Sequence, residues 1–422
     1  MDVYKTFSNI MAHEIKANPE RARKLLLTAF RGFGFYQKHF PDKKLPASKQ
    51  YLATVCMDYM LHGFGNPSQA ALTSIFMPCE IMQAFDIPCM CAEMFSTYMT
   101  GAYSERAFVE RAEQEGIPET FCSYHKILVG GAQTGLLSPV HFILNTSLAC
   151  DANNLTFRYI SQKTGTPQFY LDVPYERSEE SVSFVADELR EMTSFLEKNI
   201  GRKLDSDHLR QIIDRSAETT DNLRATIPYR KNRYLGGTLT AELYEALMVH
   251  NALGSKEALE YSRRLLEDYK KAPESDGIKI VWMHSNPFWQ KCAKDLLNEN
   301  QKQRIVATEL GYDNWIEYDT SDPYRYMASR LVYNPYNGPV QYRIENTLRM
   351  ARELEADGVV CFCHWGCKET CGASAEIAQT LEANGYPTLI LNGDGVDTMN
   401  SSEGQTLTRM QAFLEMLREK RS

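Results

Sequence analysis

The sequence predicts an α/β fold that contains two parallel β-sheets. Short apolar runs alternate with segments of helical periodicity between residues 67 and 176, and the same alternation returns after residue 276. A parallel strand needs a crossover, usually a helix, before the next strand, so this alternation is typical of parallel sheets. A long stretch of helical periodicity separates the two regions. We therefore predict two Rossmann-like or flavodoxin-like domains joined by helices.

Four segments are predicted from the changes in this pattern. They are an N-terminal helical cap at residues 1–66, a first α/β domain at 67–176, a helical connecting segment at 177–275 and a second α/β domain at 276–422. The two α/β regions share the same alternation of apolar runs and helical segments, which suggests a duplication, although no residue-level repeat is visible. No glycine-rich dinucleotide-binding fingerprint follows any predicted strand.

The cap is predicted to contain two helices. Residues 22–29 place apolar side chains on one face at helical spacing, and Gly32 and Gly34 predict the end of that helix. A second helix is predicted over residues 48–62, with Ser48 as its N-cap residue. Both helices would lie before the first sheet.

Eight apolar runs are predicted as strands. In the first domain they are residues 71–76, 87–91, 140–144 and 168–173, with a short helix at 81–85. In the second domain they are residues 278–283, 304–308, 359–363 and 388–391. Apolar residues at helical spacing predict connecting helices within residues 182–196, 204–223 and 240–269, with Pro228, Gly236 and Gly237 as breaks. A C-terminal helix is predicted over residues 405–418.

Composition narrows the class of protein. The net charge of −8 argues against nucleic acid as the main partner, because phosphate binding favours a basic surface. No apolar stretch approaches the ~20 residues of a membrane-spanning helix, and the N-terminus lacks the pattern of a signal peptide. These features predict a cytoplasmic protein. In a reducing compartment, closely spaced thiols favour metal or redox chemistry over disulfides.

The cysteines carry the strongest chemical signal. Four of the eleven cysteines lie between residues 361 and 371, where a predicted buried strand ends in a turn before a helix predicted at 373–384. Cys363, Cys367 and Cys371 repeat a C-x-x-x-C spacing across this turn. Ligands collect at the carboxyl ends of parallel strands, so thiols at this position predict a metal site.

Two further cysteines occupy comparable turns. Cys122 lies just before an apolar helix, and Cys150 follows the predicted strand at 140–144. The N-terminus of a helix favours the thiolate, which is the form that binds metal. These two residues are therefore candidate ligands together with the final turn.

The competing interpretation treats cysteines as small buried hydrophobic residues. That interpretation is favoured for Cys56 and Cys292, which lie among apolar neighbours on predicted helices, whereas Cys79 and Cys89 fit either one. The paired C-x-x-C knuckles of structural zinc sites and the dense cysteine run of bacterial ferredoxins are both absent. Ligands drawn from distant parts of the chain are compatible with an iron–sulfur cluster between domains, but residue types alone leave the metal open.

Four sequence phrases resemble one known family. They are FCSYHK at residues 121–126, CDAN at 150–153, DVPYE at 172–176 and CHWGCK at 363–368. With these blocks the chain resembles the 2-hydroxyacyl-CoA dehydratase and benzoyl-CoA reductase family of iron–sulfur proteins. The likeness spans about residues 70–420, with the blocks in the same order and spacing. In ordinary dehydratase subunits of this family, three cysteines hold one [4Fe-4S] cluster, which receives an electron from an ATP-hydrolysing activator. The resemblance assigns these ligands to Cys122, Cys150 and Cys367.

Extra cysteines make the chain most similar to the double-cubane cluster branch of that family. In that branch six cysteines hold an [8Fe-9S] cluster, in which a sulfide bridges two [4Fe-4S] units. The resemblance implies six candidate ligands, which are Cys91, Cys122, Cys150, Cys363, Cys367 and Cys371. Cys89 or Cys361 is an alternative to Cys91 or Cys371.

The resemblance also implies candidate catalytic residues. Glu80 matches a family position at the edge of the active site, where a carboxylate moves a proton; the alternative is a carboxylate that stabilises a helix start. His364 lies between two candidate ligands and is predicted to donate a proton or to hydrogen-bond a sulfide; the alternative is a purely structural histidine. His125 and Lys126, beside Cys122, are predicted to tune the cluster, and His284 is a weaker candidate.

These implications predict an ATP-dependent iron–sulfur reductase of small molecules. No phosphate-binding G-x-x-x-x-G-K-[ST] loop occurs, so a separate activator protein would hydrolyse the ATP. A homodimer is expected for the double-cubane branch. One alternative is a [4Fe-4S] subunit of a heterodimeric 2-hydroxyacyl-CoA dehydratase. A second alternative is a non-enzymatic scaffold stabilised by zinc or an iron–sulfur cluster.

Overall fold

The computed structural model describes residues 3–313 and 317–421. It contains two four-stranded parallel sheets surrounded by helices, which confirms the predicted α/β fold class. The N-terminal part forms three helices, α1 (Val3–Ala17), α2 (Pro19–His39) and α3 (Ala47–Gly65), and a 3₁₀ turn, Pro67–Gln69. Among the described residues, no helix is long and apolar enough to cross a membrane.

The first sheet contains short strands that are connected by helices. Its strands are β1 (Ala71–Thr73), β2 (Cys89–Cys91), β3 (Phe142–Thr146) and β4 (Gln168–Leu171). The helices of this region are α4 (Glu80–Ala84), α5 (Ala92–Gly101), α6 (Glu105–Gln114), α7 (Ser123–Thr134) and α8 (Asp151–Thr164). The predicted strand at 71–76 is therefore shorter than its apolar run.

Five helices connect the two sheets. They are α9 (Glu179–Ile200), α10 (Ser206–Arg224), α11 (Ile227–Arg230), α12 (Leu239–Asn251) and α13 (Lys256–Lys271). Four of them begin at a side chain that accepts a hydrogen bond from a backbone N–H of the first turn, which is the usual way to satisfy these orphan donors. The capping residues are Ser178, Asp205, Thr238 and Ser255.

The second sheet repeats the arrangement of the first. Its strands are β5 (Ile278–Met283), β6 (Gln303–Thr308), β7 (Gly358–His364) and β8 (Thr388–Gly393). The helices here are α14 (Lys291–Leu297), α15 (Glu309–Tyr312), α16 (Pro323–Val332), α17 (Val340–Glu353), α18 (Lys368–Cys371), α19 (Ser374–Ala383) and α20 (Glu403–Arg421).

Both sheets have the same strand order. The first runs β2-β1-β3-β4 and the second runs β6-β5-β7-β8, with every pair parallel. In each sheet the second strand in sequence lies on one side of the first strand, and the third and fourth strands lie on its other side. This reversal of direction opens a crevice at the carboxyl ends of the first and third strands. Strand β7 is buried along its whole length, as expected of a parallel strand covered on both faces.

Two helix ends in the cap differ from the sequence prediction. Helix α2 continues through Gly32 and Gly34 to His39, because Gly34 packs against α3: a Cβ atom there would lie 3.0 Å from Met57 Cγ. Helix α3 begins after Pro46, so Ser48 is not its N-cap residue. The backbone N–H of Ser48 donates instead to Asp268 Oδ2 at 2.9 Å.

Candidate functional site

Three cysteines occupy the same type of position, directly before a helix. Cys122 is the N-cap residue of α7, Cys150 that of α8 and Cys367 that of α18. Cys150 follows β3 and Cys367 follows β7, which are equivalent strands in the two sheets. Because both crevices lie at carboxyl ends of strands, these turns carry their thiols to the positions where α/β folds bind ligands.

The turns before Cys150 and Cys367 share a backbone feature. Ala149 has a φ of +70° and Gly366 a φ of +79°, so each thiol follows a residue in the left-handed region. Gly366 is also in close contact with the first half of the chain, since a Cβ atom there would lie 2.6 Å from the backbone nitrogen of Cys122. Glycine therefore allows the loop after β7 to approach the start of α7.

The three thiols line one cavity of about 490 Å³. Part of its wall is apolar, built from Ile75, Phe76, Leu243, Leu247 and Leu310. A sulfur-rich part consists of Cys122, Cys150, Cys367 and Cys371 with three histidines, His125, His284 and His364. The cavity thus combines a region for an apolar molecule with a region of metal-ligating side chains.

Each of the three thiols lies next to one histidine. The distance from Sγ to Nε2 is 3.4 Å for Cys122 and His364, 3.5 Å for Cys150 and His125, and 3.7 Å for Cys367 and His284. From the sequence, His125 was predicted only as a tuning residue and His284 as a weaker candidate. Neither pairing has a local sequence signal, because His125 lies 25 residues from Cys150 and His284 lies 83 residues from Cys367.

Burial controls the protonation of this site. Loss of solvent raises the pKa of the Cys122 thiol, and the neighbouring sulfurs of Cys367 and Cys150 raise it further. Burial likewise raises the pKa of Cys150 and Cys367. It lowers the pKa of His125 to about 3, so that this imidazole is neutral near pH 7. Without a metal the thiols are therefore protonated, and binding a metal would release protons.

The remaining cysteines of the final turn lie close together. The thiol of Cys363 is 3.5 Å from Cys371 Sγ, and the thiol of Cys371 donates to the backbone oxygen of His364 at 3.3 Å. Cys371 is exposed and lines the cavity, whereas Cys363 is buried behind it. Cys361 is also buried, two residues further back along the strand.

Besides Cys363, two predicted site residues lie outside the cavity lining. Cys91 ends β2, and its thiol donates to Glu93 Oε2 at 3.0 Å. Glu80 is fully buried, where Ser216 Oγ donates to Oε1 at 3.1 Å and Arg330 forms an ion pair with the same oxygen. The structure thus brings Cys122, Cys150, Cys367, Cys371 and His364 together at one cavity, and the role of every predicted site residue stays a prediction.

The cavity is also lined by Glu93, a carboxyl group that no sequence motif indicates. Glu93 lies in the first turn of α5, and burial raises its pKa. Lys126 points elsewhere, because its ammonium group donates to Glu113 Oε1 at 2.8 Å and to the backbone oxygen of Glu119 at 2.9 Å. Its place just after the end of β2 is the local sequence feature that puts Glu93 near the site.

Comparison with known proteins gives a consistent result. The family model described as 2-hydroxyglutaryl-CoA dehydratase, D-component, matches residues 74–417. A benzoyl-CoA reductase subunit of Thauera aromatica is 23% identical over 354 residues, which cover 74% of this chain and 80% of that protein. The (R)-phenyllactyl-CoA dehydratase alpha subunit of Clostridium sporogenes is 21% identical over 365 residues, covering 81% and 87%. The lactoyl-CoA dehydratase alpha subunit of Anaerotignum propionicum is 24% identical over 353 residues, covering 73% and 81%.

Proposed function

Because the chain belongs to the 2-hydroxyglutaryl-CoA dehydratase D-component family, we propose that it is an iron–sulfur reductase with a double-cubane [8Fe-9S] cluster. It would reduce small molecules with low-potential electrons from a separate ATP-hydrolysing activator protein. The observation that carries the proposal is the meeting of thiols from both sheets at one cavity. When bound, the cluster supplies electrons of low potential.

The donor set fits an iron–sulfur cluster. Within residues 3–313 and 317–421, no three His, Cys, Asp or Glu side chains are grouped closely enough to hold one metal ion. A cluster needs a wider arrangement, because each thiolate binds a different iron atom. Cys122, Cys150 and Cys367 line one cavity from three separate turns, as ligands to different iron atoms of one cluster would.

The number of nearby thiols favours the larger cluster. Cys371 also lines the cavity and Cys363 lies directly behind it, so five of the six candidate ligands are close together. A single [4Fe-4S] cluster of the dehydratase type would need only three of them. Cys91, the sixth candidate, is hydrogen-bonded to Glu93 and would have to turn away from that carboxyl group to become a ligand.

The charge at the cavity favours a small uncharged substrate over an acyl-CoA. Among the described residues that line it, Lys368 is the one lysine or arginine, and its ammonium group donates to Asp151 Oδ2 at 3.0 Å. Glu369 and Glu93 add negative charge or acidic protons to the lining. The phosphates of coenzyme A would require unpaired basic groups, whereas the apolar wall suits a small unsaturated molecule.

The surrounding side chains exclude water and hold protons. The apolar wall removes bulk solvent from the sulfur-rich part of the cavity, which strengthens electrostatic interactions there. Glu93 has a raised pKa and lines the cavity, so its carboxyl group is suited to hold a proton for a reduced substrate. We assign this role to Glu93 rather than Glu80, because Glu93 lines the cavity, whereas Glu80 lies outside its lining and is paired with Arg330.

Iron and acid-labile sulfide per chain, measured after purification without oxygen, test the proposal. The double cubane predicts about eight irons and nine sulfides per chain. About four irons and four sulfides per chain would contradict the double cubane and favour the dehydratase alternative. Two of the relatives are dehydratase subunits by name, which supports that alternative. Colourless protein that contains zinc and no iron would favour a scaffold instead.

The proposed assembly is a homodimer that interacts with the activator. Light scattering of the purified chain tests the dimer. Activity should require ATP, the activator and a small unsaturated substrate, and it should not require a second type of subunit. A requirement for a different subunit and a 2-hydroxyacyl-CoA would contradict the reductase assignment.

A further inference from the structure

The hydrogen bonds of His364 fix which of its ring nitrogens carries the proton. The backbone N–H of Gly395 donates to Nδ1 at 3.0 Å, so Nδ1 must present its lone pair. An imidazole ring with no proton on Nδ1 carries its proton on Nε2. That N–H faces Cys122 Sγ at 3.4 Å. His364 is thus a hydrogen-bond donor to this sulfur.

His125 contacts its cysteine with the opposite polarity. The single hydroxyl proton of Thr156 is donated to the backbone oxygen of Ala152 at 2.8 Å. Thr156 Oγ1 therefore accepts the Nδ1–H of His125, 2.9 Å away. This leaves the Nε2 lone pair of His125 facing Cys150 Sγ at 3.5 Å. In the metal-free protein Cys122 receives an N–H from its histidine, whereas Cys150 does not.

The ring of His364 is held in place from both halves of the chain. Asp394 Oδ1 lies 3.7 Å from Nδ1 and accepts the backbone N–H groups of Val396 and Asp397 at 2.9 and 2.8 Å. The other carboxylate oxygen accepts the hydroxyl of Ser123, the residue after Cys122, at 2.5 Å. The loop that orients the imidazole is therefore tied directly to the turn that carries the thiol.

We propose that His364 is a positioning residue, whose Nε2–H donates to the Cys122 sulfur and raises the reduction potential of the cluster that this sulfur ligates. The inference rests on the proposed iron–sulfur function. A hydrogen bond to a ligating sulfur withdraws electron density from it and favours the reduced cluster. Because Gly395 keeps Nδ1 unprotonated, the ring cannot present its lone pair to this sulfur without losing that bond.

Potentiometric titration of the cluster-loaded protein, followed by electron paramagnetic resonance, tests the inference. His364→Leu removes the donor and should shift the midpoint potential to a lower value. His364→Gln keeps an N–H in a similar place and should restore most of the shift. His141→Leu serves as the control, since His141 is exposed and contacts Phe142 away from the cavity. Iron content measured on each variant separates lost clusters from altered potentials.

Equal potentials in the wild type and in an iron-loaded His364→Leu variant would overturn the inference while leaving the proposed function intact. If His364→Leu does not fold, the tautomer of the His364 ring in the wild-type chain tests the donor role instead. ¹⁵N-labelled histidine spectra, with the signals assigned through His364→Gln, should show a protonated Nε2 and an unprotonated Nδ1. A protonated Nδ1 would refute the donor role, and a wild-type chain that takes up no iron would refute both proposals.

Discussion

Gly366→Ala tests the close contact between the two halves of the site. The new Cβ atom would lie 2.6 Å from the backbone nitrogen of Cys122 and 2.7 Å from the carbonyl carbon of Phe121. Since both are backbone atoms, the chain itself would have to move. The φ of +79° adds a second cost, because a residue with a Cβ atom disfavours the left-handed region.

The expected loss can be divided between these two causes. The left-handed backbone costs ~1–2 kcal/mol once a Cβ atom is present. Displacement of tightly packed atoms adds ~1–3 kcal/mol. The free energy of unfolding should therefore fall by ~2–5 kcal/mol. The Cys122 and Cys367 thiols should also move apart, so that the variant binds less iron per chain.

Gly135→Ala is the matched control. Gly135 has the same φ of +79°, but a Cβ atom there would meet nothing within 4 Å. It should lose only the ~1–2 kcal/mol of the left-handed backbone and keep its iron. Urea denaturation of both variants and the wild type, followed by circular dichroism, measures the difference. Equal losses of stability, or equal iron contents, would refute the role of Gly366 in bringing the two turns together.

Three further substitutions separate ligands, buried charges and pH effects. Cys367→Ser should lower the iron content, whereas Cys56→Ser, at a buried thiol outside the cavity lining, should keep it; equal iron in the two would contradict the ligand assignment. Arg330→Met leaves the Glu80 carboxylate buried without its cation and should cost ~3–5 kcal/mol in urea denaturation, part of which Glu80→Gln added to it should recover. Burial raises the pKa of Glu105 from 4.5 to about 7, so the folded chain binds more protons than the unfolded chain in that window. The contribution of Glu105 to the free energy of unfolding should therefore fall by about 3 kcal/mol as pH rises from about 4.5 to 7, so the stability difference between the wild type and Glu105→Gln should change by that amount in urea denaturation; a difference that stays constant across this pH range would exclude this role of Glu105.

The parts of the fold that were predictable have a local signal. Strands such as β5 and β7 are apolar runs that must be covered on both faces, and their sequences show this without tertiary information. The turn positions of Cys122, Cys150 and Cys367 were predictable for the same reason, because a strand end or helix start can be recognised from neighbouring residues.

The contacts that define the site were not predictable from spacing. His364 lies 242 residues from Cys122, and Arg330 lies 250 residues from Glu80. Nothing in the neighbourhood of Glu80 indicates that a distant arginine holds its carboxylate in the interior. Gly34 was misread for a similar reason: glycine predicts a helix end locally, but its packing against α3 outweighs the cost of glycine within α2.

The location of bound iron tests the central proposal most directly. Crystals of the protein purified without oxygen should give anomalous scattering at the iron absorption edge. The proposal predicts iron in the cavity bounded by Cys122, Cys150 and Cys367, with Cys122 Sγ also contacted by His364 Nε2. Iron bound elsewhere, for example beside Cys79 and Cys89, or a cavity lined by these thiols that holds none, would contradict it.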